Sequence, residues 1–142
     1  MPREPKRLLF LCVGNAVRSQ MAEGFARALG GKAVEARSGG SAPAGFVAPK
    51  AIQVMRERGV DISAQTSKGI DWAFMETADV VVSTCHEAQE ACPVAFRADT
   101  RPWNLPDPMG QGLEAYREVR DAVEERVRAL LEDLGVPMAQ LP

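Results

Sequence analysis

Leu8-Leu9-Phe10-Leu11-Cys12-Val13-Gly14-Asn15-Ala16-Val17-Arg18-Ser19 is the stretch on which the fold of this chain turns. Leu8 to Leu11 is a short continuous apolar run, the pattern of a strand buried on both faces. From Met21 the period changes: Met21, Ala22, Phe25, Ala26 and Leu29 recur at helical spacings, and Gly30-Gly31 stops the helix. The residues between them form a loop at a strand-to-helix junction, where backbone N–H groups and the positive end of the helix dipole favour an anion. Arg18 adds a permanent fork able to grip two oxygens of a tetrahedral oxyanion, and the same field stabilises a thiolate at Cys12. The stretch reads as a nucleophilic cysteine beneath an oxyanion loop made of Val13, Gly14, Asn15, Ala16, Val17, Arg18 and Ser19. The Cys-x5-Arg spacing alone is weak, since three Cys and thirteen Arg in 142 residues produce it by chance about one time in four. Its position between a buried strand and a helix, with Gly14 and Asn15 inside the loop, gives it meaning. The competing reading makes Cys12 a small buried hydrophobe and Arg18 a solvated helix residue.

Outward from this stretch, strands and helices alternate. Ala33 to Ser38 reads as a second strand, ended by Gly39-Gly40, and Ser41 to Gly45 as a loop. Pro49 suits a helix start, Ala51, Ile52 and Met55 form an apolar face, and Gly59 closes it. Asp61 to Ser67 is polar and irregular, and a short helix near Lys68 to Glu76 follows, with Trp72 and Phe74 as packing residues. Ala78 to Thr84 is a β-branched strand. Ala98 to Asn104 is a further strand, which Pro102 confines to a sheet edge. Leu105 to Gly110 is a loop, and from Leu113 the apolar residues Tyr116, Val119, Val123, Val127, Leu130 and Leu134 define a long helix ended by Gly135 and Pro137. The expected fold is a single α/β domain over residues 1–142, an open parallel sheet of about four strands with helices on both faces. Ligands of such sheets bind at the carboxyl ends of strands, where Cys12 lies.

Composition narrows the function. A net charge of −2 gives no reason to expect a nucleic acid or an anionic membrane as partner. No apolar run approaches a membrane span and Met1 to Arg7 lacks a signal-peptide core, so the expected location is the cytoplasm. Three cysteines without an export signal point to reduced, reactive thiols rather than a disulfide framework. One histidine, His86, and no Cys-x2-Cys leave too few ligands for a metal site, and none is expected. The long C-terminal helix is expected to pack on its own sheet, in a monomer.

The other two cysteines stand seven apart in Thr84-Cys85-His86-Glu87-Ala88-Gln89-Glu90-Ala91-Cys92-Pro93. Cys85 falls at the carboxyl end of the Val80–Val82 strand, on the same rim as Cys12. On a helix, seven residues put Cys85 and Cys92 on one face but roughly 10 Å apart, beyond the reach of about 7 Å between the Cα atoms of a disulfide. A Cys85–Cys92 bond would require the segment to unwind or loop out. Each cysteine alone reads as an ordinary buried residue; their joint placement favours chemistry. His86 receives no role.

Cys12 to Glu23 resembles the catalytic loop of low-molecular-weight protein tyrosine phosphatases, and the Ser19-Gln20-Met21-Ala22-Glu23 continuation is closer to their relatives, the thioredoxin-coupled arsenate reductases. The resemblance extends over most of the chain. It implies that Cys12 attacks arsenate while Arg18 and the loop amides hold its oxygens. Cys85 then attacks Cys12, releasing arsenite and leaving a Cys12–Cys85 disulfide. Cys92 attacks Cys85, and the final Cys85–Cys92 disulfide is reduced by thioredoxin. It also implies that Asp107, in Asp107-Pro108, protonates the leaving oxygen, although Asp-Pro also commonly initiates a turn. Some of these reductases hold potassium beneath the loop through groups corresponding to Asn15, Glu23, Ser38 and an aspartate. Here Lys68 replaces that aspartate, so no potassium requirement and no tightly bound cofactor are expected.

Three functions follow in order. The first is thioredoxin-dependent reduction of arsenate, with weak phosphatase activity. The second is a phosphotyrosine or phosphomonoester phosphatase using Cys12, Arg18 and Asp107, against which the Ser41–Val47 loop offers only Phe46 to flank a phenyl ring. The third is a redox switch or oxyanion-binding regulator without turnover, which leaves Arg18 and Asp107 unexplained. Arsenate and phosphate are close in charge and shape, so the loop alone does not separate them.

Overall fold

The computed structural model describes residues 4–85 and 99–142. The apolar run at Leu8 lies inside strand β1 (Lys6–Cys12), followed by helix α1 (Arg18–Gly30), a 3-10 turn (Gly31–Ala33) and strand β2 (Val34–Gly40). Helix α2 (Pro49–Arg56), helix α3 (Trp72–Thr77), strand β3 (Val80–Ser83), strand β4 (Thr100–Pro102) and helix α4 (Leu113–Asp133) complete the described elements. The four strands are parallel in the order β2-β1-β3-β4. From β1 the chain goes out to β2 on one side and then crosses back over β1 to β3 on the other, so the carboxyl end of β1, beside β3, is the topological switch point of the sheet. Cys12 is the last residue of that strand. Pro102 sits in the edge strand, the position its missing N–H demands.

Alternation along β1 divides the interior. Leu8 and Phe10, with Val80 and Val82, face a large core built with α1, α2 and α4. Leu9 and Leu11, with Val81, face a smaller cluster built with Phe74, Met75 and Ala78 of α3 and its end. Both sides of β1 are therefore dry, which explains its unbroken apolar sequence. Helix α4 contributes the buried stripe Tyr116, Val119, Val123, Val127, Leu130 and Leu131, each burial worth roughly 1.5–3 kcal/mol. It ends in a Schellman motif: Gly135 has φ 71°, the Gly135 N–H donates to Glu132 O and the Val136 N–H to Leu131 O. Among the described residues, no helix is long and apolar enough to cross a membrane.

Two expectations are corrected. The short helix starts at Trp72, not near Lys68, because Gly69 pairs with Gly40 in a parallel bridge and the Gly40 N–H donates to Lys68 O. The residues from 68 to 70 thereby extend the sheet edge, and Asp71 caps the helix by accepting from the Phe74 N–H. Trp72 is not a packing residue: it is 65% exposed, whereas Phe74 is buried.

Helices α2 and α4 are clamped by one carboxylate. Glu57 accepts from Arg117 Nε and Nη2 at 3.0 and 2.9 Å and from Arg120 Nη1 at 2.7 Å, while Arg120 also donates to Val54 O. The Arg117 hydrogen bonds, with those of Arg120, hold the Glu57 carboxyl down at about 2 from an ordinary 4.5. A depressed carboxyl stabilises the folded state above its unfolded value and loses that contribution as pH falls through its folded one. Glu57→Gln is therefore expected to melt below the native chain at pH 7, with the gap closing between about 4.5 and about 2. Thermal melts across that range check it; a gap independent of pH would show that Glu57 acts by packing alone.

Candidate active site

The loop after β1 is held from outside by its carbonyls. Cys12 O accepts from the Ser41 N–H, Val13 O from Ala42, Gly14 O from Ala44, Ala16 O from Ala48 and Val17 O from Met21, at 2.9–3.3 Å. The remaining carbonyl, of Asn15, accepts from Gln20 Nε2 at 3.0 Å. With every carbonyl from Cys12 to Val17 engaged outward, the amides turn inward. The Asn15 N–H points at Cys12 Sγ, 3.1 Å away. Among the described residues, no acceptor meets the N–H groups of Val13, Gly14, Ala16 or Val17, although Ala16 and Val17 are buried. These residues line one cavity, where an anion can accept from their amides. Helix α1 then begins at Arg18 with no side-chain cap, adding its dipole to the same point.

Asn15 sets the curvature. Its φ of 48° is left-handed, a conformation asparagine tolerates better than other residues bearing a Cβ. Its side chain is saturated: Nδ2 donates to Ser19 Oγ at 2.8 Å and Ser38 Oγ at 3.0 Å, and Oδ1 accepts from Gln20 Nε2 and the Lys68 N–H, both at 2.9 Å. Ser19 Oγ lies 3.1 Å from Cys12 Sγ. Because Ser19 already accepts from Asn15, its own proton is available to the sulfur. Ser38 donates to the buried carboxylate of Glu23 at 2.6 Å. The Lys68 ammonium stands 3.4 Å from Glu23 Oε1, 3.3 Å from Ser38 Oγ and 3.1 Å from Thr66 O. Arg27 takes the other Glu23 oxygen at 3.0 Å. Among the described residues, no group of three or more His, Cys, Asp or Glu converges as a metal site.

The concave face is a cavity of about 360 Å³ lined by Cys12 through Arg18 and by Ala44, Asp107 and Met109. Cys12 is a free, buried thiol at its base. The Arg18 guanidinium is buried, donates to Leu105 O at 2.9 Å and approaches Asp107 Oδ2 at 3.8 Å. The Asp107 side chain is 44% exposed and lines the same cavity. The structure thus brings Cys12, the loop residues Val13 to Val17, Arg18 and Asp107 to one cavity, with Ser19 directly behind the sulfur. Phe46 is not among the lining residues; Ala44 and Met109 form the apolar walls.

Cys85 is fully buried just beyond β3. Strand β3 runs beside β1 with Leu11 opposite Ser83, and the Thr84 N–H donates to Leu11 O at 2.8 Å. The carboxyl ends of the two strands therefore place Cys12 and Cys85 on the same rim. Cys92, His86 and the rest of residues 86–98 lie outside the described residues.

Sequence reasoning missed the frame behind the loop: the amides of residues 41–48, the buried amide of Gln20, and Ser67, whose Oγ donates to Gly14 O. Two signals were present. Gln20 stands in the first turn of α1, on the side opposite its apolar stripe, and is nevertheless fully buried. Gly39-Gly40 marks a close approach: a Cβ on Gly40 would stand 2.4 Å from Val13 O and 3.1 Å from Asn15 N.

An α/β sheet with a cysteine under an amide-lined loop at its switch point is suited to a tetrahedral oxyanion, and the comparisons with known proteins narrow the reading. The family model described as low molecular weight phosphotyrosine protein phosphatase matches residues 7–139. The chain is 42% identical over 131 residues to the glutaredoxin arsenate reductase of a Synechocystis species, covering 92% of this chain and 99% of that protein. It is 36% identical over 131 residues to arsenate reductase 2 of Staphylococcus saprophyticus, covering 92% and 99%. Among solved structures, an arsenate reductase in the phosphate binding state superposes with a TM-score of 0.79 at 40% identity, covering 90% of this chain and 98% of that one. The YwlE arginine phosphatase of Geobacillus stearothermophilus superposes with a TM-score of 0.77 at 27% identity, covering 92% and 94%. The chain belongs to the low-molecular-weight phosphotyrosine protein phosphatase family.

Gly40→Ala tests the frame. Its methyl group would collide with backbone rather than with a mobile side chain end, an overpacking cost of about 1–3 kcal/mol that falls on the loop. Affinity for inorganic phosphate, measured by calorimetry, should drop about tenfold or more. Unchanged affinity would mean the loop does not depend on its neighbour for shape.

Proposed function

We propose that this protein reduces arsenate to arsenite by a relay of three cysteines, with thioredoxin as reductant, and hydrolyses phosphate monoesters slowly at the same site. The observation that carries this reading is the placement of Cys12 and Cys85 at the carboxyl ends of adjacent strands, with Cys12 under the amides of an oxyanion loop. In the first step the Cys12 thiolate forms a bond to arsenic(V) as an As–O bond breaks. Asp107 gives its proton to the departing oxygen, which leaves as water, and Arg18 with the loop amides holds the remaining oxygens. The Cys85 thiolate then attacks Cys12 Sγ. A sulfur–sulfur bond forms, the As–S electron pair stays on arsenic, and arsenite departs as arsenic(III). Cys92 attacks Cys85, Cys12 leaves as thiolate, and a dithiol partner reduces the Cys85–Cys92 disulfide. A phosphate ester follows the first step alike, but water, deprotonated by the Asp107 carboxylate, then displaces phosphate from Cys12.

The test is arsenate-dependent NADPH oxidation with thioredoxin and its reductase, on the native chain and on Cys12→Ser, Cys85→Ser and Cys92→Ser. All three substitutions should abolish arsenate turnover, while only Cys12→Ser should abolish aryl phosphate hydrolysis. Brisk hydrolysis without arsenate turnover would identify a phosphatase and end the relay reading. The Synechocystis relative's name, glutaredoxin arsenate reductase, favours a second arm with glutaredoxin and glutathione, in which turnover would reassign the reductant.

The Lys68 ammonium supports a related reading: no potassium is required. It faces Glu23 and Ser38, two of the groups that would hold the cation, and a second positive ion there would meet it at close range. Exchanging sodium for potassium should leave the native rate unchanged, and Lys68→Met should slow turnover several-fold by leaving Glu23 with Ser38 and a single cation, Arg27. Acceleration of the native chain by potassium would overturn this.

A further inference from the structure

The loop carrying Asp107 is packed at Leu105 and Pro108, which are buried, but between Pro106 and α4 lies a second cavity of about 230 Å³, lined by Pro106, Pro108, Ala115 and Val119 among others, so packing alone does not fix the loop at Asp107. Polar tethers do. The Met109 N–H donates to Asp107 Oδ1 at 3.0 Å and the Gln111 N–H to Pro108 O at 2.9 Å, shaping the turn. Gln111 Nε2 donates to Asp107 O at 3.2 Å, holding the backbone of the acid. Gln111 is in turn fixed from another element: Lys50 Nζ, in the first turn of α2, donates to Gln111 O at 2.7 Å. The same ammonium lies 5.8 Å from the ring centroid of buried Tyr116, whose hydroxyl donates to Met109 Sδ at 3.4 Å.

Lys50 follows two residues after Ala48, whose N–H holds Ala16 O in the oxyanion loop. One short segment therefore grips the nucleophile's loop through Ala48 and the acid's loop through Lys50, and sets the spacing between them. We propose that Lys50 is a positioning residue for the general acid, acting on Asp107 through Gln111. The role rests on the reading that Asp107 protonates the leaving oxygen as Cys12 Sγ bonds to the central atom. An exposed lysine would otherwise contribute little, whereas misplacing an acid by about 1 Å costs up to about a hundredfold in rate.

The leaving group separates the two roles, because a good one departs without a proton and a poor one does not. Full-length native protein, Lys50→Met, Lys50→Arg and Asp107→Asn would be assayed on phenyl phosphate and on dinitrophenyl phosphate. Lys50→Met should lower kcat/KM for phenyl phosphate about three- to tenfold and for dinitrophenyl phosphate by less than about twofold, with inhibition by inorganic phosphate unchanged. Lys50→Arg should restore most of the loss, and adding Lys50→Met to Asp107→Asn should cost nothing further. Equal losses on both esters, no loss on either, or an additive double variant would overturn the positioning role. A native chain that hydrolyses neither ester would overturn the acid reading and this role together.

Discussion

Everything at this site depends on where six carbonyl groups go. A peptide unit points its C=O and N–H in opposite directions, so a loop whose carbonyls are all claimed from outside must offer its amides inward. Residues 41–48 claim four of those carbonyls, Gln20 a fifth, and the first turn of α1 the sixth. The anion site is thus the inner face of a hydrogen-bonding pattern whose outer face is ordinary tertiary structure. Ala16 and Val17 carry the same logic into the core, since their side chains pack among the large cluster while their amides face the cavity.

A polar chain runs behind that surface, from Lys68 and Glu23 through Ser38 and Asn15 to Ser19 and Cys12. Each member orients the next. The saturated Asn15 side chain fixes a left-handed backbone, and that backbone aims the Asn15 N–H at the sulfur. Lys68 is thereby linked to Cys12 through a chain of hydrogen bonds without touching it.

The sequence was most informative where local pattern and tertiary position coincide. The apolar run before Cys12, the change of period at Met21 and the stripe along α4 each announce their own partners, and Pro102 excludes its strand from the sheet interior. Cys12 and Arg18 stood out by their place between a buried strand and a helix, and Asp107 by the resemblance of its Asp-Pro loop; the three line one cavity. What stayed hidden depends on segments distant in sequence. Nothing in Ser41 to Ala48 says that its amides match the carbonyls of Cys12 to Ala16, and nothing near Lys68 says that its backbone pairs with Gly40 and caps Asn15. The misplaced start of the short helix has the same origin: residues able to begin a helix are held extended by a bridge to β2. The exposure of Trp72 likewise follows from where that helix lands, which local hydrophobicity does not encode.

The inward amides have a consequence for the chain as a folded object. Ala16 and Val17 belong to the main core while they also line the cavity. An oxyanion that accepts from their amides binds the native state and has no equivalent site in the unfolded chain. Occupancy and folding are then one linked equilibrium, in which stability rises with the logarithm of anion concentration once the site begins to fill. In that sense a tetrahedral ion held by this loop would be part of the folded interior as much as a substrate.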